Sequence, residues 1–553
     1  MQTVSAKFPV KKNQETTMKK ILLCLLPAAF ISCAQAQKPD PIQQKYAAYI
    51  TAEDARKHLS ILASDDFEGR ETGKPGAEKA ANYIAGEFKK LGLQPPVNGS
   101  YFLDVPLTET SLSASNFRVN SIDFTSGKDF YISGTAASKT INVNNIVFIG
   151  YGISSENYDD LKNTDINGKV VLLINKGEPM KDGISAVTKT VTASEWGTSR
   201  NKRLQYLMGK KPALILAVNP DLEALLERMA KMNYDLNAGR ITIKTDEKQK
   251  ALPAVITITP KIADALLKTS GKTLEMLKTA IDQNGTPQTQ TVKADFSVAI
   301  NQQSKDVKAV DVLGFLPGTD AKLKDEVLVF SAHYDHIGLT KSGTDKVNNG
   351  ADDDGSGTTG ILEIARAFTA AKKAGHGARR SILFLGNVGE EKGLLGSEYY
   401  SDHPVFPLEK TITDLNIDMI GRVGEEYKNK PDSADYIYVI GSSKLSTTLR
   451  DISEKANQTY TRLKLDYKYD DPKDPNRFYY RSDHYNFAKH NVPIIFYFNG
   501  VHEDYHRPGD EVSKINFPAL AKRAQLVFYT GWELANRDQR PVVDAKNDMT
   551  DGQ

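Results

Sequence analysis

The 553-residue chain has only two cysteines, Cys24 and Cys33, and both fall in its single long apolar segment. Beyond that segment there is no thiol, which excludes disulfide staples and a cysteine nucleophile. No serine-nucleophile elbow is present either. An excess of one charge is also lacking. The 71 lysines and arginines nearly balance 69 aspartates and glutamates, so nothing marks a nucleic-acid surface. Residues 1–36 hold five lysines and one glutamate; without them the formal charge falls from +2 to −2. With 40% hydrophobic and 25% charged residues, and no repeat or low-complexity tract, the composition is that of a globular chain. Histidine is scarce where it might have been informative: of nine, only His58 precedes residue 333.

The apolar segment reads MKKILLCLLPAAFISCAQAQ from Met18. A basic start, a short apolar stretch and small residues make a secretory signal over residues 1–36. The run is too short to span a bilayer. Two processing readings stay open. Cleavage after Ala34-Gln35-Ala36 leaves Gln37 first; cleavage before Cys33 leaves a lipid-anchored cysteine. Either implies an exported protein: periplasmic, outer-membrane-anchored or extracellular.

The remainder divides by pattern. Thr51 and Asp54 form a capping pair for a helix over 51–63. Ile84, Phe88 and Leu91 share a face of a helix that stops at Gly92. Between these two helices lies a glycine-rich loop, DDFEGRETGKPG. Residues 135–295 carry short β-rich runs and none of the usual catalytic clusters, so an inserted β-rich domain is expected there. It interrupts a domain built from 41–134 and 296–540, with a tail at 541–553. After residue 309, EVLVFSA, SILFLGN, TDLNIDMIG, YIYVIG and VPIIFYF alternate with amphipathic stretches, among them 357–374 with Ile361, Leu362, Ala365 and Phe368 on one face. The expected fold class is α/β: a mostly parallel mixed sheet sandwiched by helices.

Ligands of such sheets gather beyond the carboxyl ends of the strands. There EVLVFSA runs into His333 and Asp335, SILFLGN into Glu390 and Glu391, TDLNI into Asp418, and VPIIFYF into His502 and His506. Asp352, Asp353 and Asp354 open a helix. Each piece alone has a bland alternative, a solvated turn or an exposed helix start. Together they bring imidazoles and carboxylates to one edge, and that donor mixture suits zinc. Residues 502–506 also fit H-E-x-x-H, a motif that requires a helix. Asn499-Gly500 before it and Pro508-Gly509 after it leave no room for one, so a loop is expected.

The ordered set SAHYDHIG, NGADDDGSG, GEEKGLLGS, NIDMIGR, RSDHYNF and DYHRPGDE resembles the co-catalytic di-zinc aminopeptidase family, whose relatives include glutamate carboxypeptidase II, the transferrin receptor and glutaminyl cyclases. The middle region is similar to a protease-associated domain. The resemblance implies two zinc ions held by His333, Asp352, Glu391, Asp418 and His506, with Asp352 bridging them and a cis peptide at Asp352–Asp353. It implies that Asp335 orients His333, that Glu390 is the general base and that Tyr505 stabilises the oxyanion.

Those roles suit the chemistry of two zincs about 3.5–4 Å apart sharing an acidified water, with a neighbouring carboxylate carrying the proton. The implied protein is a metallo-exopeptidase acting on peptides, an aminopeptidase first. A carboxypeptidase or dipeptidase on the same site and a glutaminyl cyclase-like acyltransferase are the alternatives. Arg422 is expected to brace the site or hold a substrate carboxylate, Ser482 to support it, and His336 to sit in its turn.

Overall fold

The computed structural model describes residues 38–231, 235–236, 238–245 and 252–546. The signal segment, including Cys33, lies outside the described residues. Two large sheets organise the chain. The strands of the first are labelled β1 (Phe102–Asp104), β2 (Val310–Leu316), β3 (Val327–His333), β4 (Ser381–Asn387), β5 (Thr411–Ile417), β6 (Tyr436–Ile440), β7 (Lys464–Asp466) and β8 (Ile494–Phe498). Their spatial order is β1-β2-β4-β3-β5-β8-β6-β7. The central four, β4, β3, β5 and β8, run parallel, and β2 and β6 flank them antiparallel. All five apolar runs read from the sequence are strands of this sheet.

Every residue of β3, β4, β5 and β8 is buried, because helices cover both faces. Alternation sorts the side chains. Leu328 and Phe330 of β3, Ile382 and Phe384 of β4 and Ile495 and Tyr497 of β8 point to one core. Val327 and Val329, Leu383 and Leu385, and Ile494 and Phe496 point to the other. The first core is closed by helices that include Ala52–Leu62, Pro75–Leu91, Gly355–Lys373 and Phe517–Asn536. Ile361, Leu362, Ala365 and Phe368 face it together, as their spacing requires. Phe330 sits at its centre, stacked on Phe384 with ring centroids 5.5 Å apart and packed near Phe368 at 5.7 Å.

The sequence signals at the helix ends work as expected. Thr51 Oγ1 accepts from Asp54 N, and Gly92 closes the Pro75–Leu91 helix in the left-handed conformation, φ 85°, which a side chain would oppose.

The second sheet has nine strands. In spatial order, eight of them are Arg240–Ile243, Leu107–Val119, Gln290–Val307, Lys139–Phe148, Val170–Ile174, Leu214–Val218, Ala254–Ile258 and Phe130–Ser133. It reaches from Leu107 to Val307, beyond the expected limits of 135–295. The reason is physical. Leu107–Val119 is only partly buried along its length, and the last seven residues of Gln290–Val307 are exposed or half-buried. A long ribbon of this kind keeps its backbone paired while offering no continuous apolar run to read. Residues 501–511 form turns with no regular helix apart from a short one starting at Val512, as expected for the H-E-x-x-H segment. Among the described residues no helix is long and apolar enough to cross a membrane.

Removing the ring at the centre of the first core, Phe330→Ala, is expected to cost about 3–5 kcal/mol. The urea midpoint of unfolding should fall accordingly; an unchanged midpoint would contradict this packing.

Candidate active site

The parallel strands deliver their side chains to one edge. His333 ends β3, Glu390 and Glu391 lie just after β4, Asp418 follows β5, and the turn carrying His502 and His506 follows β8. The three aspartates before the Gly355–Lys373 helix enter the same space, and each points differently.

Asp353 occupies the centre. Its Oδ1 lies 3.4 Å from His333 Nε2, and its Oδ2 lies 3.1 Å from His506 Nε2. Asp354 turns back: Oδ1 accepts from Gly357 N at 2.8 Å, capping the helix, and from Met419 N at 3.0 Å. Asp352, expected in the bridging place, is fully buried but turned away from the cluster. Its Oδ1 accepts from Gly421 N at 2.6 Å and Ser356 Oγ at 2.9 Å, and its Oδ2 accepts from Asn499 Nδ2 at 3.0 Å. The cis peptide lies one residue later than expected, at Asp353–Asp354. The central carboxylate is therefore Asp353 and not Asp352. Three identical residues in a tight turn carry no period from which the register could be read.

Around Asp353 the acids and imidazoles form two groups. Asp418 Oδ1 lies 3.7 Å and Glu390 Oε2 3.9 Å from His333 Nε2. On the other side Glu391 Oε2 lies 3.2 Å from His506 Nε2. His336, expected in its turn, instead places Nδ1 2.8 Å from Glu391 Oε1, in a fully buried position. His333, Asp354 and Asp418, and likewise His336, Asp353 and Glu391, offer ligand atoms all within 4.8 Å of one another.

These contacts are close but poorly directed. Neither ring nitrogen of His336 has a hydrogen-bond partner, nor do Asp353 Oδ2, Asp354 Oδ2 or Glu391 Oε1. Buried polar atoms are rarely left so, and clustered carboxylates out of water repel one another. A divalent cation would answer both needs, and the donors are those that suit zinc.

The electrostatics follow. Burial alone would raise Asp353, but His336, His333 and His506 hold it well below the usual carboxylate range. Burial opposes the charged form of His506 too, yet its bonds to Asp353 and Glu391 push it up to about 10. Glu390 goes the other way. Burial, with Glu391 and Asp418 beside it and only His333 opposing, holds it well above its ordinary value.

The supports are equally specific. Ser482 Oγ donates to Asp418 Oδ2 at 2.7 Å. Asp510 Oδ2 accepts from the backbone of both Asp352 and Asp353, at 2.9 and 3.1 Å. Arg422 pairs with Asp504 at 2.9 Å and Asp510 at 3.5 Å, so it braces the turn that carries His506. His502 faces Asp352 at 3.4 Å while His506 faces Asp353; the two histidines of the H-E-x-x-H match share no group. Asp335 meets His333 mainly through its main-chain oxygen, 3.0 Å from Nδ1, with the carboxylate at 3.8 Å. Tyr505 stacks on His506 and accepts from Arg481 Nη2 at 3.3 Å. A small cavity opens beside Asp353, Glu390 and Asp418, walled by Met419, Phe478, Phe496, Phe498, Val501, Arg481 and Tyr505.

One set of contributors escaped the sequence reading. Arg70, in the glycine-rich loop, is fully buried. Its guanidinium donates to the carbonyls of Tyr334, Leu62, Asn349 and Gly350 at 2.6–2.8 Å. It ties the loop after β3 to the one before the aspartates. The only signal was an arginine amid glycines.

Residues 311–531 match the profile of Peptidase family M28. Over 235 residues the chain is 28% identical to leucine aminopeptidase 2 of Trichophyton rubrum, a match covering 38% of this chain and 42% of the relative. Over 234 residues it is 29% identical to a probable leucine aminopeptidase of Arthroderma otae, covering 41% and 58%. The chain thus spans about half the length of the curated relatives it matches. The solved aminopeptidase from Aneurinibacillus sp. strain AM-1 shares the fold, at a TM-score of 0.53 and 18% identity, over 91% of this chain and 98% of that one. The M28 segment contains each acid and imidazole of the cluster.

The geometry separates two adjacent aspartates. Asp353→Asn is expected to abolish tight binding of added Zn2+, whereas Asp352→Asn should keep most of it. Equilibrium dialysis of both variants checks this; equal losses would contradict the assignment of the central place to Asp353.

Proposed function

We propose that this protein is an exported zinc-dependent aminopeptidase that releases N-terminal residues from peptides. The observation carrying the reading is the Asp353 carboxylate set between His333 and His506, with Asp418 beside the first imidazole and Glu391 beside the second. His333, Asp353 and Asp418 would hold one zinc ion. Asp353, Glu391 and His506 would hold another, with His336 against Glu391. Zinc bound there would polarise the peptide carbonyl and lower the pKa of a coordinated water.

The chain's own residues would do the rest. Glu390 stands in the cavity without belonging to either group of ligand atoms. It would take a proton from the attacking water and return it to the leaving amine. The Tyr505 hydroxyl accepts from Arg481, which leaves its own proton free to donate to the carbonyl oxygen as negative charge develops there. The acids at the cavity floor would attract a free terminal ammonium. Met419, Phe478, Phe496, Phe498 and Val501 would receive an apolar side chain. The names of the fungal relatives and the M28 match support this reading. Export rests on the signal segment alone.

One observation favours a second reading. Arg481 lines the same cavity, and a guanidinium there would suit the carboxylate of a carboxypeptidase or dipeptidase substrate.

Removing metal with a chelator should abolish hydrolysis, and adding zinc should restore it; activity that persists in the metal-free protein would end the proposal. Peptides with a free amine should be cleaved and their N-acetylated forms spared. Cleavage of blocked peptides would transfer support to the second reading. Glu390→Gln should lower kcat about 10²–10⁴-fold with zinc content unchanged.

A further inference from the structure

The glycine-rich loop reaches further into the site than Arg70. Thr72 is completely buried, and its Oγ1 donates to Asp335 Oδ2 at 2.6 Å. The other oxygen of the same carboxylate, Oδ1, accepts from the backbone N–H of Glu390 at 3.2 Å. Asp335 also holds His333 through its main-chain oxygen. One residue thus holds a histidine of the cluster through its main chain, with its carboxylate 3.8 Å from the same ring, and the backbone of Glu390 through that carboxylate, whose turn the Thr72 hydroxyl fixes.

The loop cannot drift away from this contact. Arg70 ties it to four carbonyls. Gly69 O accepts from Gly338 N at 3.0 Å, and Arg70 O accepts from His336 N at 3.2 Å. A Cβ on Gly69 would lie 2.4 Å from Asn348 O, so the backbones are in close approach. Glu71 pairs with Lys392, next to Glu391, at 3.0 Å. The loop itself, residues 69–72, lies far ahead of the M28 match, which starts at 311, while its partners other than Leu62 lie within it.

We propose that Thr72 is a positioning residue for hydrolysis. Acting through Asp335, it sets the orientation of His333 and the placement of Glu390 together. The inference rests on the proposed function, in which those two residues hold metal and carry the proton. Outer hydrogen-bond partners of this kind typically change metal affinity or activity about 10–100-fold.

The test compares Thr72→Val, which keeps the shape and loses the hydroxyl, with Thr72→Ser, which keeps the hydroxyl. Zinc per chain is followed during titration with a competing chelator, and kcat and KM are measured on an aminoacyl amide. Thr72→Val should give up zinc at about 10–100-fold lower chelator concentration and lose kcat with KM within about twofold. Thr72→Ser should restore both. In an Asp335→Asn background, Thr72→Val should add little, because the two residues act as one unit.

Thr72→Val behaving like wild type would overturn the inference. So would a serine variant as impaired as the valine one, which would mean that the methyl group and packing matter instead. If Thr72→Val fails to fold, Asp335→Asn alone decides: it should show the same easier zinc release and loss of kcat, and wild-type values would overturn the inference. Wild-type protein with no zinc-dependent hydrolysis would instead sink the proposed function and take this inference with it; active wild type with an indifferent Thr72→Val would sink this inference alone.

Discussion

Six carboxylates, those of Asp335, Asp353, Asp354, Glu390, Glu391 and Asp418, are gathered where water is largely excluded, and their mutual repulsion is the constraint that the surrounding structure has to meet. Burying charge without compensation is expensive, and several of these oxygens have no hydrogen-bond donor. Three imidazoles, from His333, His336 and His506, supply part of the answer. The buried guanidinium of Arg70 supplies positive charge just behind. Backbone amides take up part of the remaining demand at Asp335 and Asp354. The arrangement suits a cation, and the imbalance of charge matters more to that reading than any single ligand.

Holding such a cluster needs rigid carriers. The parallel strands provide them, since each is buried on both faces and ends at the same edge. The loops that leave those strands would scatter without restraint, because turns are the mobile part of a fold. Here they are stitched by buried groups: Asp510 on the aspartate turn, Arg422 on the segment carrying His506, Ser482 on Asp418. The segment around Arg70 and Thr72 enters from far ahead in the chain and closes the back of the site. A domain delimited by the strands alone would omit it.

Legibility in the sequence tracked burial. Fully buried strands were plain as continuous apolar runs, and the helix ends carried their caps openly. The second sheet was underestimated because Leu107–Val119 and the end of Gln290–Val307 are long, half-exposed ribbons held by backbone pairing. Backbone bonds leave no side-chain trace. His336 lies only three residues from His333, and Asp353 lies directly beside Asp352. Both departures arise in turns, where no periodicity says which side chain faces inward.

The order of the motifs along the chain, the type of each donor and the strand that precedes it follow from the sequence by itself, since apolar alternation decides where strands form and end. Which of three neighbouring aspartates enters the centre, which histidines meet Glu391, and that Thr72 reaches Asp335 from 263 positions away were decided only on folding. Those contacts depend on the path of the backbone through tight turns and on long-range packing, and neither is encoded in local spacing.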